Sequence, residues 1–259
     1  MSYLGFIHPA ISSISEVSNP QVLEIGIENG HSALPILHNL EKLFKEDFLY
    51  IGVDIKINPQ VTNAVNQMMG IELLHNRNCN ALFKQMNSLS FLQQAMSEKL
   101  KFDIVFLDGD HNYFTVLSEL SMIKALCHKS TLIICDDYLG RYSEEDMFYS
   151  ERENYKDVRV NEKNIPIKDD SGKLQILHDK ATPPVKTEKQ GVKSAVDDFL
   201  TKNPEWTGFN FVVPGTDDAS WVSQEPIILY QKEHIEFEMS AKKGNINFMS
   251  IESKKRLHE

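Results

Sequence analysis

Apolar residues in this chain fall into short continuous runs, and between the runs they recur at helical spacing. Val22-Leu23-Glu24-Ile25-Gly26 reads as a buried strand that stops at a glycine. Leu34, Ile36, Leu37, Leu40, Leu43 and Phe44 then repeat with the period of a helix that buries one face. Phe48-Leu49-Tyr50-Ile51-Gly52-Val53-Asp54 predicts a second strand, ending in an acid. Residues 59–69 predict a helix, and Gly70 suits its C-cap because glycine enters the left-handed conformation freely. Residues 71–75 predict a short third strand, and residues 81–100 a helix with a polar face. Phe102-Asp103-Ile104-Val105-Phe106-Leu107-Asp108 predicts the fourth strand, residues 113–126 a helix, and Thr131-Leu132-Ile133-Ile134-Cys135-Asp136 the fifth strand. Strands that are apolar on both sides and alternate with helices predict an α/β fold with a doubly wound, mostly parallel sheet covered on both faces.

The alternation then stops. Residues 140–190 are rich in charge, carry Pro166, Pro183 and Pro184, and show no period, as expected of a long lid insertion. A helix is expected over 191–203, and two edge strands at 209–213 and 226–230 with a turn at 215–218 between them. That close antiparallel pair brings the sheet to seven strands. The expected organisation is a single domain: an arm or helix over 1–19, a ligand-binding half over 20–139, the lid over 140–190, a closing helix and edge strands over 191–232, and a polar tail over 233–259 with a basic patch at Lys254-Lys255-Arg256.

Composition narrows the partners. The 259 residues carry 27 basic and 37 acidic side chains, a net charge of −10, which disfavours a nucleic-acid substrate because phosphate binding needs a clustered basic face. Three cysteines without a C-x-x-C pair suggest neither a disulfide framework nor a cysteine zinc site. The first 20 residues have no signal-peptide pattern, and no apolar run reaches the length of a membrane span, so the expectation is a soluble, cytoplasmic protein with no membrane partner.

In an open parallel sheet, ligands sit outside the carboxyl ends of the strands. After the first strand the chain reads Glu24-Ile25-Gly26-Ile27-Glu28-Asn29-Gly30. Gly26 and Gly30 permit a tight turn and close approach of a ligand. A dinucleotide loop needs G-x-G-x-x-G, but Glu28 stands at the middle glycine position and Glu24 precedes the turn. Two acids repel a pyrophosphate and favour a sulfonium and an ammonium. Asp54, ending the second strand, is placed to accept hydrogen bonds from ribose hydroxyls.

This E-x-G-x-x-x-G loop followed by Asp54 resembles the class I S-adenosylmethionine-dependent methyltransferases, and the resemblance runs from about residue 22 to 230. It implies S-adenosylmethionine as cofactor, with Glu24 near its methionine end. Cys79-Asn80-Ala81-Leu82 stands where relatives often carry Gly-Asp-Ser-Leu, which implies that Asn80 contacts the adenine side. FDIVFLDGDHNY, a helix, then TLIICDDY is similar to the subgroup with sugar and macrolide O-methyltransferases. That similarity implies that Asp108, Asp136 and Asp137 hold a divalent cation, Mg²⁺ by preference, since hard oxygen ligands suit it. It also implies that His111 is the general base, a task that suits imidazole because it titrates near neutral pH. Asp110 is expected to be a loop or helix-cap acid, and Tyr113 and Tyr138 packing residues. The expected reaction is O-methylation of a small polyhydroxylated acceptor, a sugar or glycosylated natural product, by a protein that forms a homo-oligomer.

Other acceptors compete with this expectation: an amine, a protein side chain or RNA, methylated without metal. So do a non-catalytic relative that kept the cofactor site and, against the evidence of Glu24 and Glu28, a dinucleotide-dependent oxidoreductase. The lid, carrying Tyr142, Phe148, Tyr149 and Tyr155, is expected to cover the acceptor site. Removing residues 145–185 would then abolish turnover and keep cofactor binding.

Overall fold

The chain lays β1 (Gln21–Ile25), β2 (Phe48–Asp54) and β3 (Cys79–Gln85) outward in one direction, then returns to place β4 (Phe102–Leu107) and β5 (Cys127–Cys135) on the other side of β1. All five run parallel. The insertion after β5 carries a small antiparallel pair, β6 (Ile167–Lys168) and β7 (Leu174–Gln175). β8 (Trp206–Asn210) and β9 (Ile227–Gln231) complete the main sheet antiparallel beside β5, giving seven strands in the order β3-β2-β1-β4-β5-β9-β8. The strand order therefore switches between β1 and β4, and a crevice opens there beyond their carboxyl ends. The computed structural model describes residues 4–44, 48–65, 79–158, 167–168, 174–175, 185–210, 226–233, 235–240 and 245–250.

Alternation along each strand sorts side chains to two cores. Leu23, Ile25, Val105, Leu107 and Ile133 face one side, where α4 (Ser88–Glu98), α5 (Tyr113–Ile123) and α6 (Gly191–Lys202) bury Leu92, Leu120, Val196 and Phe199. Val22, Tyr50, Ile104, Phe106 and Ile134 face the other side, against Ile7 and Ile11 of α1 (Leu4–Ser13), Ile36, Leu37 and Leu40 of α2 (Ala33–Leu43), and Val61 and Val65 of a helical turn, α3, over 59–65. Burying both faces in this way is what lets the central strands be apolar throughout.

Three elements differ from the sequence expectation. Residues 79–85, expected to fall partly in a helix, form the edge strand β3. There Ala81 and Phe83 pack inward while Leu82 and Lys84 are exposed, a two-residue alternation that a strand with one solvated edge produces. The following helix starts only at Ser88, where the Asn87 side chain caps it by accepting from the amides of Leu89 and Ser90. The expected strand at 71–75 and its preceding Gly70 cap lie outside the described residues. The first edge strand starts at Trp206, three residues earlier than expected, and the rest of that prediction, 211–213, with the turn at 215–218, is also outside them. The expected polar tail contains a hairpin, β10 (Ile235–Ser240) with β11 (Asn245–Ser250), whose second strand lies beside α1. The basic patch at 254–256 is outside the described residues.

A candidate active site at the ends of β1, β4 and β5

Gly26 follows β1 at φ +90°, donates its amide to the Val53 carbonyl at 2.8 Å, and meets the backbone of the loop after β4. The loop after it is held by Asp54. Its Oδ2 accepts from the amides of Ile27 and Glu28, each at 2.8 Å, and its Oδ1 accepts from Lys56 N at 2.9 Å. With the Ile55 amide as well, these bonds fix the carboxylate at the carboxyl end of β2, where it lines the crevice. Burial raises the Asp54 carboxyl, and these amides pull it back down. Gly30, at φ +75°, leaves room for the Val61 side chain and so serves packing against α3.

Two expected contacts change place. Glu24 is fully buried and points to the α2 side of the sheet, the same side as Val22. Its carboxylate accepts from the hydroxyls of Ser32 and Tyr50, so it lies behind the pocket wall instead of lining it. Asn80 is the second residue of β3, paired in register with Leu49. The carboxyl end of β3 is Gln85, five residues on, a distance of about 16 Å along a strand. The residues that reach the pocket there are Met86, Asn87 and Ser88. The sequence Met86-Asn87-Ser88-Leu89, seven residues beyond Cys79-Asn80-Ala81-Leu82, follows β3 and so stands at the ligand end of the sheet.

The cavity in the crevice has a volume of about 310 Å³, within the range of small-molecule sites. Glu28, Asp54, Asn87 and Ser88 line it together with Asp108, His111, Asp136 and Asp137. His31 and Ser32 also line it. Their sequence signal was their place in the first turn after the glycine loop, where a helix N-terminus meets a ligand.

Asp108 follows β4, and Asp136 and Asp137 follow β5. His111 Nε2 lies 3.1 Å from Asp108 Oδ1 and 3.3 Å from Asp137 Oδ2. Ligand atoms of Asp108, His111 and Asp136 come within 4.8 Å of one another, a grouping able to hold a metal ion. Asp137 adopts φ +56°, which turns the chain back so that two successive acids both face the crevice. All three carboxyls are raised. For Asp108 and Asp136 the causes are burial and then repulsion from the neighbouring carboxylates, and for Asp137 burial outweighs the attraction of His111 and Arg141. Asp136 Oδ1, Asp137 Oδ1 and His111 Nδ1 are buried without a hydrogen-bond partner among the described residues. Orphaned acceptors in a repulsive cluster fit a divalent cation, which supplies the missing charge.

Asp110 is no part of this cluster. It accepts from Asn112 Nδ2 at 2.6 Å, Thr115 Oγ1 at 3.3 Å and Tyr149 N at 3.0 Å. It thus joins the start of α5 to the insertion. Tyr113 and Tyr138 donate to Asp198 and Asp197 at 2.6 and 2.8 Å and hold α6 in place. Asp146 Oδ1 accepts from the first amides of α5 and α6, Tyr113 N and Gly191 N, each at 2.8 Å. The segment it anchors brings Tyr142, Tyr149 and Tyr155 over the cavity. The Tyr142 and Tyr149 rings lie 5.3 and 5.7 Å from the His111 ring.

A doubly wound sheet in this order, a glycine turn after β1, an acid after β2 and a second antiparallel crossing at the far edge define the class I methyltransferase fold. Residues 23–138 match the model of a methyltransferase domain family. Among solved structures, the chain is similar to the TDP-rhamnose 3′-O-methyltransferase of calicheamicin biosynthesis, with 9% identity over 88% of this chain and 77% of that one and a TM-score of 0.53. It is also similar to an O-methyltransferase from Bacillus cereus in complex with S-adenosylhomocysteine, with 13% identity over 87% and 79% and a TM-score of 0.48. No curated protein matches it significantly. No helix among the described residues is long and apolar enough to cross a membrane.

Proposed function

We propose that this protein transfers the methyl group of S-adenosylmethionine to a hydroxyl of a small polyhydroxylated acceptor, a sugar or glycosylated compound, with help from a divalent cation. The observation that carries the reading is the convergence of Asp108, Asp136 and Asp137 with the His111 imidazole, in one cavity with the cofactor loop. The three carboxylates would hold the cation, Mg²⁺ by their hard oxygen chemistry. A bound cation lowers the pKa of an acceptor hydroxyl and fixes its direction. The His111 imidazole then takes the hydroxyl proton while the oxygen–carbon bond forms and the carbon–sulfur bond of the cofactor breaks. Asp54 and the Asn87-Ser88 turn orient the adenosine half, and the tyrosine wall excludes water.

The test is a titration of the protein with S-adenosylmethionine, followed by an acceptor screen with and without Mg²⁺. Binding in the micromolar range and chelator-sensitive methylation of a sugar hydroxyl support the reading. Chelator-insensitive methylation of an amine, a protein or RNA would replace the acceptor and the metal role together. Binding of the cofactor with no turnover on any acceptor would favour a non-catalytic relative.

A further inference from the structure

The cavity has a roof that belongs to the cofactor end as much as to the acceptor end. Tyr149 and Tyr155, from the insertion after β5, line the same cavity as Glu28, Asp54 and Asp108. Their rings meet edge to face, with centroids 5.4 Å apart and planes at 76°. Two tethers tie this roof to the loops that carry the cofactor acids. Lys56, two residues beyond Asp54, donates from Nζ to the Asn154 carbonyl at 2.9 Å and lies 6.0 Å from the Tyr155 ring centre. Asp110, two residues beyond Asp108, accepts from Tyr149 N at 3.0 Å. Burial is the first cause that pushes both phenols up, and the carboxylates that add to it differ. For Tyr149 they are Asp108 and then Glu28; for Tyr155, which rises to about 12, they are Asp54 and then Glu28. The tethers therefore hold Tyr155 next to the loop that carries Asp54 and Tyr149 next to the loop that carries Asp108.

We propose that Tyr155 and Tyr149 are cofactor-binding residues. Tyr155 packs on the adenosine half, beside Asp54, and Tyr149 faces the sulfonium end, beside Asp108 and Glu28. The inference rests on the methyltransferase reading and changes what the insertion does. Its first part, residues 141–156, is a wall of the cofactor site, so its removal costs cofactor binding as well as turnover, against the sequence expectation. The chemistry suits both positions. A phenol ring stacks on a nucleobase without reading it, and its negative face attracts a sulfonium. The demethylated product has no charge on sulfur, so Tyr149 favours the substrate form of the cofactor over the product form.

The experiment is calorimetric titration of the full chain with S-adenosylmethionine and with S-adenosylhomocysteine, without acceptor. The variants are Tyr155→Ala, Tyr155→Phe, Tyr149→Leu and Lys56→Met, the last an exposed position whose change leaves the core intact. Tyr155→Ala is expected to weaken both ligands about tenfold, the effect of one lost base–aromatic stack, and Tyr155→Phe to restore wild-type affinity. Lys56→Met should weaken both several-fold by freeing the roof. Tyr149→Leu should weaken S-adenosylmethionine several-fold more than S-adenosylhomocysteine. Wild-type affinity for both ligands in Tyr155→Ala, Tyr149→Leu and Lys56→Met overturns the proposal while the methyltransferase reading stands. A folded wild-type chain that binds neither ligand overturns that reading and the proposal with it.

Discussion

Gly26 and Asp108 touch backbone to backbone: a Cβ on Gly26 would fall 1.8 Å from the Asp108 carbonyl oxygen. The glycine turn of the cofactor loop therefore lets β1 and β4 close on each other at the switch point, and Asp108 N donates to the Ile25 carbonyl at 2.8 Å across the same seam. The loop after β1 and Asp108 are thus tied together through their backbones.

Gly26→Ala should lose at least ~2 kcal/mol of stability, since a left-handed residue with a Cβ is strained before any clash is added. It should also weaken the cofactor, because the Asp108 loop must shift. Gly30→Ala meets the Val61 side chain, at 2.8 Å from its nearer methyl, and no backbone atom; it should cost the roughly 1–2 kcal/mol of backbone strain plus a shift of Val61. Urea unfolding of the two variants ranks them, and a smaller loss in Gly26→Ala than in Gly30→Ala would contradict the seam.

His111→Ala should lower kcat by about 10²–10⁴-fold, the usual worth of a positioned general base, with cofactor affinity unchanged. Its Nε2 faces Asp108 and Asp137 at 3.1 and 3.3 Å, so the same nitrogen is also within reach of a cation in the cluster. Cation titration of the variant separates the two roles: retained Mg²⁺ affinity identifies a base, and lost affinity identifies a ligand.

Asp136 sits among like charges with one carboxylate oxygen unpartnered. Without a divalent cation, Asp136→Asn should melt higher than wild type by roughly 2–4 °C, the shift that ~1 kcal/mol gives a chain near this size. With millimolar Mg²⁺ the order should reverse, because the wild-type cluster then binds the ion and the variant does not. A wild-type melting temperature indifferent to Mg²⁺ would remove the cation from the mechanism.

Glu119, on α5 behind Gly109, is fully buried, and burial raises its carboxyl to about 8. In the unfolded chain the same group ionises near ~4.3. Between those values the folded chain holds a proton that the unfolded chain has released, so this group's contribution to stability is present at low pH and is lost as pH rises through the window. Glu119→Gln should flatten the fall in urea midpoint between about pH 5 and about pH 9, and parallel curves for the two chains would show that Glu119 does not carry that proton.

The local pattern of the chain carried the strands β1, β2, β4 and β5, because a strand buried on both faces must be an unbroken apolar run whatever surrounds it. It also carried Asp54, Asp108, Asp136 and Asp137, since each is the polar residue at which such a run stops at the ligand end of the sheet. The edge strand β3 was hidden because its exposed Leu82 and Lys84 alternate with Ala81 and Phe83 and leave no unbroken apolar run, and expecting the third strand earlier set Asn80 where the loop after β3 has Asn87. Glu24 took its role from strand parity: as an inward residue on the α2 side it binds Ser32 and Tyr50, and no local pattern says which helix will cover which face. The roof is a tertiary fact throughout. Lys56 reaches Asn154, and Asp110 reaches Tyr149, across 98 and 39 residues of chain. Periodicity reports only how a segment divides between core and solvent, whereas contacts between distant segments exist only once the sheet has set its strand ends side by side.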